Sequence, residues 1–427
     1  PAPATVWTSA RINLSDAPPA SLPGVLSPVA YQSLATVGRN LQASRSSSVS
    51  ALVGLDAAFD ETGAYSGVSG SAQVQRALHD PSVLHRNDDQ PLRAFAMDGA
   101  ISGLTLFSAK QSRLLAASDI TDVALYIQNS RPGDVSIVSA GRDVIPNNAG
   151  APLRVLANSL ARGNYVDPAE QVTLVDGSVV NALAGDIQVS GPGVLQVLAG
   201  RNIDLGTGAN RADGTGVGIT SIGALRNPFL AKDGAGLAVL TGLQAASGGP
   251  AYGLAGSTLN LAGFIPSDLP AGTSPEFAAL AGLDAFYAKL KEVGQGYAEG
   301  GSYDEGYAAI DEVFGPAGAG GELFTRSRDI RTVRGGDIRI AVPGGAITMA
   351  SSITGNPLAP PGLVTEYGGT LSILTDAGVD IGRARIFTLR GGDITIWASN
   401  GDIAAGSAPK TVVTAPPTRV VVDTTSA

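Results

Sequence analysis

Histidine and carboxylate side chains close together in a sequence could bind a metal ion or form part of a catalytic triad. His79 and His85 are the only histidines of this chain, and they stand near Asp80, Asp88 and Asp89. Two histidines six residues apart match no compact zinc-ligand spacing, and no Gly-x-Ser-x-Gly nucleophile elbow accompanies them. We therefore interpret these residues as part of a loop, and we predict no catalytic, cofactor-binding or metal-binding residues.

Four aspartates recur in one context, directly after a glycine and before an apolar strand. Glycosidases need two carboxylates about 5 to 10 Å apart in different environments, and some β-helix enzymes cleave polysaccharides with carboxylates on a strand face. A corner aspartate is also explained by an Asx turn, in which it accepts a hydrogen bond from its own backbone two residues on. We favour the Asx turn for these residues, which are Asp134, Asp186, Asp337 and Asp393.

Two glycine-threonine segments, residues 206–208 and 214–216, resemble phosphate-binding loops only weakly. Neither is followed by a lysine or by a predicted helix. Calcium between corner loops is conceivable, but the Gly-Gly-x-Gly-x-Asp nonapeptide that would signal it does not repeat. The sequence therefore leaves calcium between loops open and predicts no cofactor.

Aromatic and basic side chains could also bind a ligand. Trp397, Phe387 and Tyr367 lie on or beside predicted strands, where exposed rings could stack on sugars, and we favour packing against a neighbouring coil or helix. One basic cluster could bind a polyanion, but it lies among aspartates, so we favour a solvated strand face. Its members are Arg326, Arg328, Arg331, Arg334 and Arg339.

The composition argues against several classes of partner and chemistry. A net charge of −9 and a pI of about 4.8 disfavour nucleic acid or an anionic membrane as main partner, because each needs a basic patch. The chain has no cysteine, which excludes disulfides, cysteine-ligated zinc and thiol catalysis. No apolar run approaches the roughly 18 residues that span a bilayer and no signal peptide opens the chain. We expect the chain to be part of a longer protein.

Tight corners and short strands alternate along the chain, and residues 391–403, GGDITIWASNGDI, show this most clearly. The glycine pair can adopt positive φ, and apolar residues then alternate with others at the period of a half-buried strand. Related patterns begin at residues 133, 185, 336 and 369, with corner glycines eight or nine residues apart. Degenerate repeats of this size predict a parallel β-helix.

The same alternation assigns side chains to the two faces of two predicted strands. Arg339 and Thr395 are expected to lie outside the solenoid, because each stands between two residues of the opposite face. The residues expected to point into the core are Ile338, Ile340, Ile394 and Ile396.

The pattern divides the chain into five segments. Residues 1–91 are an irregular N-terminal segment with short helices, and residues 92–263 are a β-solenoid. Residues 264–328 are a helical insertion, residues 329–410 continue the solenoid, and residues 411–427 are a linker to the rest of a longer protein.

Two helices are predicted within the insertion. Ser274, Pro275 and Glu276 supply an N-cap, a first-turn proline and a first-turn acid, and apolar residues then recur every three or four positions until Gly294. A capping box at residues 302–305 opens a second, shorter helix that ends at residues 315–316. The predicted fold is therefore all-β, a parallel β-helix (β-solenoid) with a small two-helix insertion that decorates it.

Five stretches of the sequence together carry a family pattern. They are GDIQVSGPG from Gly185, AGRNIDLG from Ala199, GYAAI from Gly306, RGGDI from Arg334 with VPGG from Val342, and NGDIAAG from Asn400. They resemble the C-terminal region of filamentous haemagglutinin-type exoproteins, which are very long proteins of Gram-negative bacteria exported by two-partner secretion. The resemblance covers about residues 90–415. It implies a right-handed parallel β-helix at the cell surface or in the extracellular matrix, and it assigns no binding residues.

We expect a non-enzymatic segment of a large secreted filamentous surface adhesin, a β-helix rod for adhesion, biofilm or matrix. Its partners would be surface molecules or glycans of host or neighbouring cells, the outer-membrane two-partner transporter during export, and other copies through self-association, with no nucleic acid. One alternative is a β-helix polysaccharide-active enzyme, which carboxylates clustered in an exposed groove would favour. Another is a self-assembling extracellular filament subunit, which open solenoid ends permit.

Overall fold

The computed structural model describes the solenoid, its helices and part of the segment before them. The described residues are 6–7, 11–14, 83, 85–148, 172–173, 179–180, 185–206, 216–225, 227, 229–315, 320–326, 328–349 and 361–404. The short helices predicted before residue 83 and the linker predicted at residues 411–427 lie outside the described residues.

Short strands follow one another along the described chain. The strands before residue 184 are β1 (Val6–Trp7), β2 (Arg11–Leu14), β3 (Leu92–Ala96), β4 (Ile101–Ser102), β5 (Thr105–Ser108), β6 (Ser112–Ala116), β7 (Ile120–Thr121), β8 (Ala124–Gln128), β9 (Val135–Ala140), β10 (Val144–Ile145), β11 (Val172–Thr173) and β12 (Val179–Val180). The later strands are β13 (Ile187–Ser190), β14 (Val194–Ala199), β15 (Ile203–Asp204), β16 (Gly216–Ser221), β17 (Gly236–Leu240), β18 (Leu323–Phe324), β19 (Arg328–Thr332), β20 (Ile338–Val342), β21 (Ile347–Thr348), β22 (Gly362–Thr365), β23 (Leu371–Thr375), β24 (Val379–Asp380), β25 (Arg385–Thr388), β26 (Ile394–Ala398) and β27 (Ile403–Ala404). The helices are α1 (Pro275–Ala298) and α2 (Asp304–Phe314), with a 3-10 turn at Gly223–Leu225.

The strands form three parallel sheets. Sheet A has the order β1-β4-β7-β10-β15-β18-β21-β24-β27, sheet B has β2-β5-β8-β13-β16-β19-β22-β25, and sheet C has β3-β6-β9-β14-β17-β20-β23-β26. From β3 to β25 the described chain visits C, A and B in turn, so each coil adds one strand to each sheet. Strands β11 and β12 form a separate antiparallel pair. This arrangement confirms the predicted parallel β-helix with a two-helix insertion.

Columns of apolar side chains fill the solenoid, each formed by residues at one position of successive coils. In sheet B the register aligns Ile12, Leu106, Leu125, Ile187, Ile219, Ile330, Leu363 and Ile386. In sheet C it aligns Ala94, Leu114, Val138, Val197, Val239, Ile340, Ile373 and Ile396. Members in the middle of the stack are fully buried, and each such side chain stabilises the fold by roughly 1.5–3 kcal/mol.

Paired glycines make the corner before sheet C in successive coils. Gly336, Gly369 and Gly392 have φ of 99°, 103° and 99°, which confirms the positive φ expected of the glycine pairs. A Cβ added to Gly392 would lie 2.0 Å from the carbonyl oxygen of Gly369, and one added to Gly369 would lie 2.4 Å from that of Gly336. Adjacent corners therefore approach too closely for any larger residue.

A ladder of side chains supports the corner before sheet A. The Oδ1 atoms of Asp119, Asp143 and Asn202 accept hydrogen bonds from the backbone N–H of Asp143, Asn202 and Glu322, at 3.2, 3.1 and 2.9 Å. Burial alone would raise the pKa of Asp143, but hydrogen bonds from Arg201 and from the Asn202 N–H hold it below its ordinary value. Each such side chain thus ties its own coil to the following one.

The two helices form where the sequence predicts them, with different ends. Ser274 Oγ accepts a hydrogen bond from the Phe277 N–H at 3.4 Å and caps α1. Helix α1 continues through Gly294 to Ala298, because the residue of positive φ that ends it is Gly300. Helix α2 has Tyr303 as its N-cap, without a side-chain capping bond. Ser302 Oγ accepts a hydrogen bond from the Asp304 N–H at 3.0 Å, but Glu305 binds Lys289, so the reciprocal capping box is not formed. No helix in the described part of the chain has the length and apolarity needed to cross a lipid bilayer.

The helix pair covers the outer face of sheet C. One cluster of buried residues joins Leu283 and Phe286 of α1 to Leu198, Leu240 and Leu374 of the sheet. The hydroxyl of Tyr287 donates a 2.6 Å hydrogen bond to the Ile340 carbonyl. The insertion is therefore packed against the solenoid along the length of α1.

Arg339 corrects one expectation about this face. It lies between the fully buried Ile338 and Ile340 on the side away from the core, as predicted, yet it is itself buried beneath α1. Its guanidinium binds both carboxylate oxygens of Asp284, with Nη2 at 2.8 Å from Oδ2, and Nη2 lies 3.1 Å from Asp337 Oδ2. Covering by the helix thus turns an outward position into a buried arginine that is paired with two partly exposed carboxylates.

Other residues differ from the sequence prediction because of their place in the stack. Ile394 is 43% exposed although it continues an inward column, because its strand is the last described one of sheet C. Strand β18 lies inside the range 264–328 assigned to the insertion, and pairs with β15 and β21. Strands β1 and β2 lie inside the range 1–91 assigned to an irregular segment, and pair with β4 and β5. Strands this short gave no periodic signal in the sequence.

Glu276 anchors the start of α1 to sheet C. Its Oε2 accepts hydrogen bonds from Gln196 Nε2 at 3.1 Å and from the Ala255 N–H at 3.4 Å. Burial raises the pKa of Glu276 above its ordinary value, and these hydrogen bonds oppose the rise. The anchor is therefore a carboxylate whose charged form is disfavoured by its surroundings.

We predict that an aspartate introduced on the inward face of sheet C lowers stability more at a fully buried position than at an exposed one. Ile340→Asp should lower the free energy of unfolding by at least about 4 kcal/mol, because Ile340 is fully buried. Ile394→Asp, on the same face in the last described strand of sheet C, should cost less than about 1.5 kcal/mol, because Ile394 is 43% exposed. Urea melts of both variants measure the difference, and equal costs would show that burial does not separate the two positions.

Removing Asp284, the carboxylate that α1 contributes to the Arg339 ion pair, should weaken the docking of α1. Asp284→Ala leaves part of the buried Arg339 guanidinium without its partner, which should cost about 1–3 kcal/mol. Lys289→Ala removes the exposed pair between Lys289 and Glu305 and should leave the melting temperature close to that of the wild type. Thermal melts test this contrast, and an Asp284→Ala protein as stable as Lys289→Ala would contradict it.

Glu276→Gln should change how stability depends on pH. Since the folded pKa lies above the unfolded one, the favourable contribution of Glu276 is present below about pH 4.5 and is lost as the pH rises through the folded pKa. Glutamine cannot ionise, so the melting temperature of the variant relative to the wild type should increase from about pH 4 to about pH 7.5. A difference that stays constant over this range would refute the assignment.

Candidate functional site

The described members of the histidine and aspartate group, His85, Asp88 and Asp89, are not arranged as a metal site. His79 and Asp80 lie outside the described residues. His85 Nδ1 is 3.4 Å from Asp88 Oδ2, and Lys110 Nζ binds the same oxygen at 2.5 Å. This hydrogen bond from Lys110 lowers the pKa of Asp88 to about 2. In the described ranges no three His, Cys, Asp or Glu side chains are grouped to hold a metal ion.

The four corner aspartates lie at different corners of the stack. Asp134, Asp337 and Asp393 precede β9, β20 and β26 of sheet C, whereas Asp186 precedes β13 of sheet B. Asp186 is buried, 3.4 Å from the Tyr126 hydroxyl. The arrangement therefore does not gather the four carboxylates into one groove.

The Asx-turn role is wrong for the three aspartates that precede sheet C. Asp134 Oδ2 accepts hydrogen bonds from N–H groups of the preceding loop, at 2.8 and 3.0 Å. Asp337 Oδ1 accepts one from the Thr370 N–H of the next coil at 2.7 Å. Asp393 Oδ2 lies 2.5 Å from Lys291 Nζ of α1. Their partners lie elsewhere in the stack, which a local turn rule cannot foresee.

The bonding of Asp393 does not favour acid catalysis. The hydrogen bond from Lys291 lowers the pKa of Asp393, whereas a general acid at neutral pH needs a raised pKa. Asp337 and Asp393 stand on either side of the Thr370 coil, so two inter-strand spacings, roughly 9 Å, separate their positions. Each carboxylate is paired with its own cation, Arg339 or Lys291.

The basic cluster is mostly neutralised by carboxylates. Arg326 binds Asp204 through two hydrogen bonds at 2.7 and 2.6 Å. The fully buried Arg328 lies 3.8 Å from Asp186, Arg331 binds Glu366, and Arg339 binds Asp284. Arg334 instead lies over the ring of Tyr367, 4.9 Å from its centroid. Tyr367 therefore packs against arginine rather than offering a free face to a sugar.

A groove of about 650 Å³ lies between the helix pair and the last described strand of sheet C. It is lined by Lys291 and Gln295 of α1, by Tyr303 and Tyr307, and by Thr395 and Trp397 of β26. Thr395 lies outside the solenoid, as expected, and forms part of this lining. The Lys291–Asp393 ion pair lies at its edge.

Aromatic rings dominate the groove. Tyr297 and Tyr303 stack with centroids 3.9 Å apart, and Tyr303 and Tyr307 each meet the Trp397 ring edge-on, at 5.4 and 5.8 Å. A Cβ on Gly306 would come within 2.3 Å of the Trp397 ring, so the glycine lets α2 approach closely. Trp397 is buried here, which confirms its predicted packing against the helical insertion.

Tyr303 and Tyr307, which line the groove, and Tyr297, which stacks on Tyr303, were not predicted as site residues. Each is more than a third exposed, and Tyr297 and Tyr303 flank the loop between the helices. The signal in the sequence was three tyrosines on both sides of Gly300-Gly301. Their meeting with β26 depends on the docking of the helices, which the sequence alone did not fix.

Comparison with known proteins finds a match at the C-terminal end of the chain. A family model described as filamentous haemagglutinin family outer membrane protein matches residues 391–427. The match begins at the glycine corner before β26 and includes β26 and β27. Searches of curated proteins and of solved structures find no match. The resemblance inferred from the sequence is thus confirmed over residues 391–427.

Proposed function

We propose that the chain is a non-enzymatic segment of a secreted surface adhesin, in which the parallel β-helix is a stiff rod. The observation that carries the proposal is the ladder of main-chain hydrogen bonds that runs through three sheets, combined with the family match at residues 391–427. Each coil is bonded to the coils on both sides, so bending the rod would break bonds in all three sheets. Eight stacked strands in sheet C span on the order of 40 Å.

A location outside the cell follows from the same proposal. The matched family is described as outer membrane proteins, and two-partner secretion through an outer-membrane transporter is the export route that fits it. The segments 92–263 and 329–410 are then two parts of one rod, and residues 411–427 lead to further sequence. The net charge of −9 disfavours nucleic acid as a partner.

The helix pair and its groove are the surface that we propose for contact with a partner on a host or neighbouring cell. They interrupt the regular surface of the rod, and they expose aromatic rings that are not needed to fill the core. Partly exposed tyrosines can combine apolar contact with hydrogen bonding, which suits proteins and glycans alike.

The adhesin proposal predicts that the purified chain binds to cells through the groove. The double variant Tyr297→Ala/Tyr303→Ala removes exposed aromatic surface and should reduce the amount of bound protein several-fold in a flow-cytometry assay. Phe229→Ala is the matched control, because Phe229 is 40% exposed but lies away from the groove. Equal binding by both variants and the wild type would refute the groove as contact surface.

The enzyme alternative is tested at Asp393. The Lys291–Asp393 pair is exposed, so Asp393→Asn should leave the melting temperature close to that of the wild type. The wild type should release no reducing sugar from a panel of acidic and neutral polysaccharides. Turnover by the wild type that Asp393→Asn abolishes at unchanged melting temperature would replace the adhesin proposal by an enzyme.

A further inference from the structure

Three successive coils share the corner motif Thr-x-x-Gly-Gly between sheets B and C. In each coil the threonine Oγ1 donates a hydrogen bond to the carbonyl of the second glycine, at 3.0, 2.9 and 3.0 Å. The strand register aligns the three threonines, so the third residue of each motif occupies the same place in its coil. The motifs are residues 332–336, 365–369 and 388–392, and their third residues are Arg334, Tyr367 and Arg390.

These three side chains form a stack on the outside of the rod. The guanidinium carbons of Arg334 and Arg390 lie 4.9 and 4.0 Å from the centroid of the Tyr367 ring. Because their coils lie on opposite sides of the Tyr367 coil, the two guanidiniums cover opposite faces of the ring. All three residues are exposed. The corner motif and the stacking together hold two cations in a fixed arrangement at the surface.

Neither arginine of the stack forms an ion pair with a described carboxylate. The neighbouring acids are already bound, because Glu366 binds Arg331 and Asp393 binds Lys291. The equivalent corner of the preceding coil carries one positive and one negative side chain, Lys232 and Asp233. The chain has a net charge of −9, yet two fixed guanidinium groups without a described carboxylate partner lie close together here. They are available to bind an anion.

We propose that the Arg334–Tyr367–Arg390 stack binds an acidic polysaccharide through its carboxylates. A guanidinium presents a planar fork that matches a carboxylate. The two forks are separated by two inter-strand spacings, roughly 9 Å, so a linear polymer lying along the rod meets both. The Tyr367 ring lies between them, and its hydroxyl can donate to or accept from a sugar hydroxyl. This site is separate from the groove.

A polysaccharide fits this site better than an anionic membrane does. A lipid surface would bring many negative charges against a predominantly acidic protein, and two arginines offset little of that repulsion. A single flexible polymer contacts the stack alone and leaves the acidic surface in solvent. The contact should weaken as the salt concentration rises, because the guanidiniums are exposed.

The test is affinity electrophoresis of the full chain in gels that contain polygalacturonate. The wild type should be retarded relative to a gel that contains neutral dextran. Arg334→Gln and Arg390→Gln should each weaken the retardation at least several-fold. Arg86→Gln is the matched control, because it removes one exposed positive charge outside the stack and should migrate as the wild type does. Circular dichroism confirms that each variant is folded.

Three results would overturn the proposal. The first is wild-type mobility that is the same in polygalacturonate and in dextran, and the second is retardation that Arg334→Gln leaves unchanged. If Arg390→Gln fails to fold, because Arg390 has a positive φ of 64°, Arg334→Gln alone decides. Retardation lost equally in Arg86→Gln would show a general charge effect and would also refute the site. Cell binding through the groove is measured separately, so each proposal can fail without the other.

Discussion

In-register stacking of parallel coils is the constraint on which the structure depends. Main-chain hydrogen bonds join each strand to the equivalent strands of the coils before and after it. The residue at each position must therefore pack against the residues at the same position of both neighbouring coils. Inward positions meet this demand with aliphatic columns such as Leu125–Ile187–Ile219. Corners meet it with glycine, since any Cβ at Gly392 would collide with Gly369 of the preceding coil. Composition and fold are therefore set by one geometric repeat.

The sequence predicts the features that a single coil determines by itself. Alternation places Ile338 and Ile340 in the core, and the glycine pairs have the positive φ expected of a corner. The prediction fails where the answer lies in another coil. Asp337 bonds to Thr370 of the next coil rather than to its own turn, and Ile394 is exposed because its strand ends the described stack. Local rules contain no information on either point.

The same distinction explains why the candidate sites were found only in the structure. Arg334 was part of a predicted basic cluster and Tyr367 part of an aromatic group, whereas Arg390 was in neither. Only the register brings the three together. A signal was present in the spacing, because Thr-x-x-Gly-Gly occurs three times and its third position aligns. Comparing equivalent positions of successive coils, rather than neighbours in sequence, is the step that would have found the stack.

The helix pair shows how an irregular insertion alters a regular solenoid. The outward positions Leu198, Leu240 and Leu374 would leave an apolar strip on the rod if they were uncovered, and such strips favour aggregation. Helix α1 covers this strip, and Arg339, in the neighbouring outward column, is held by an acid from the helix and an acid from the rod. The insertion is therefore part of the packing of sheet C. Because its second half reaches the last described strand, the same helices that complete the rod also create its aromatic groove.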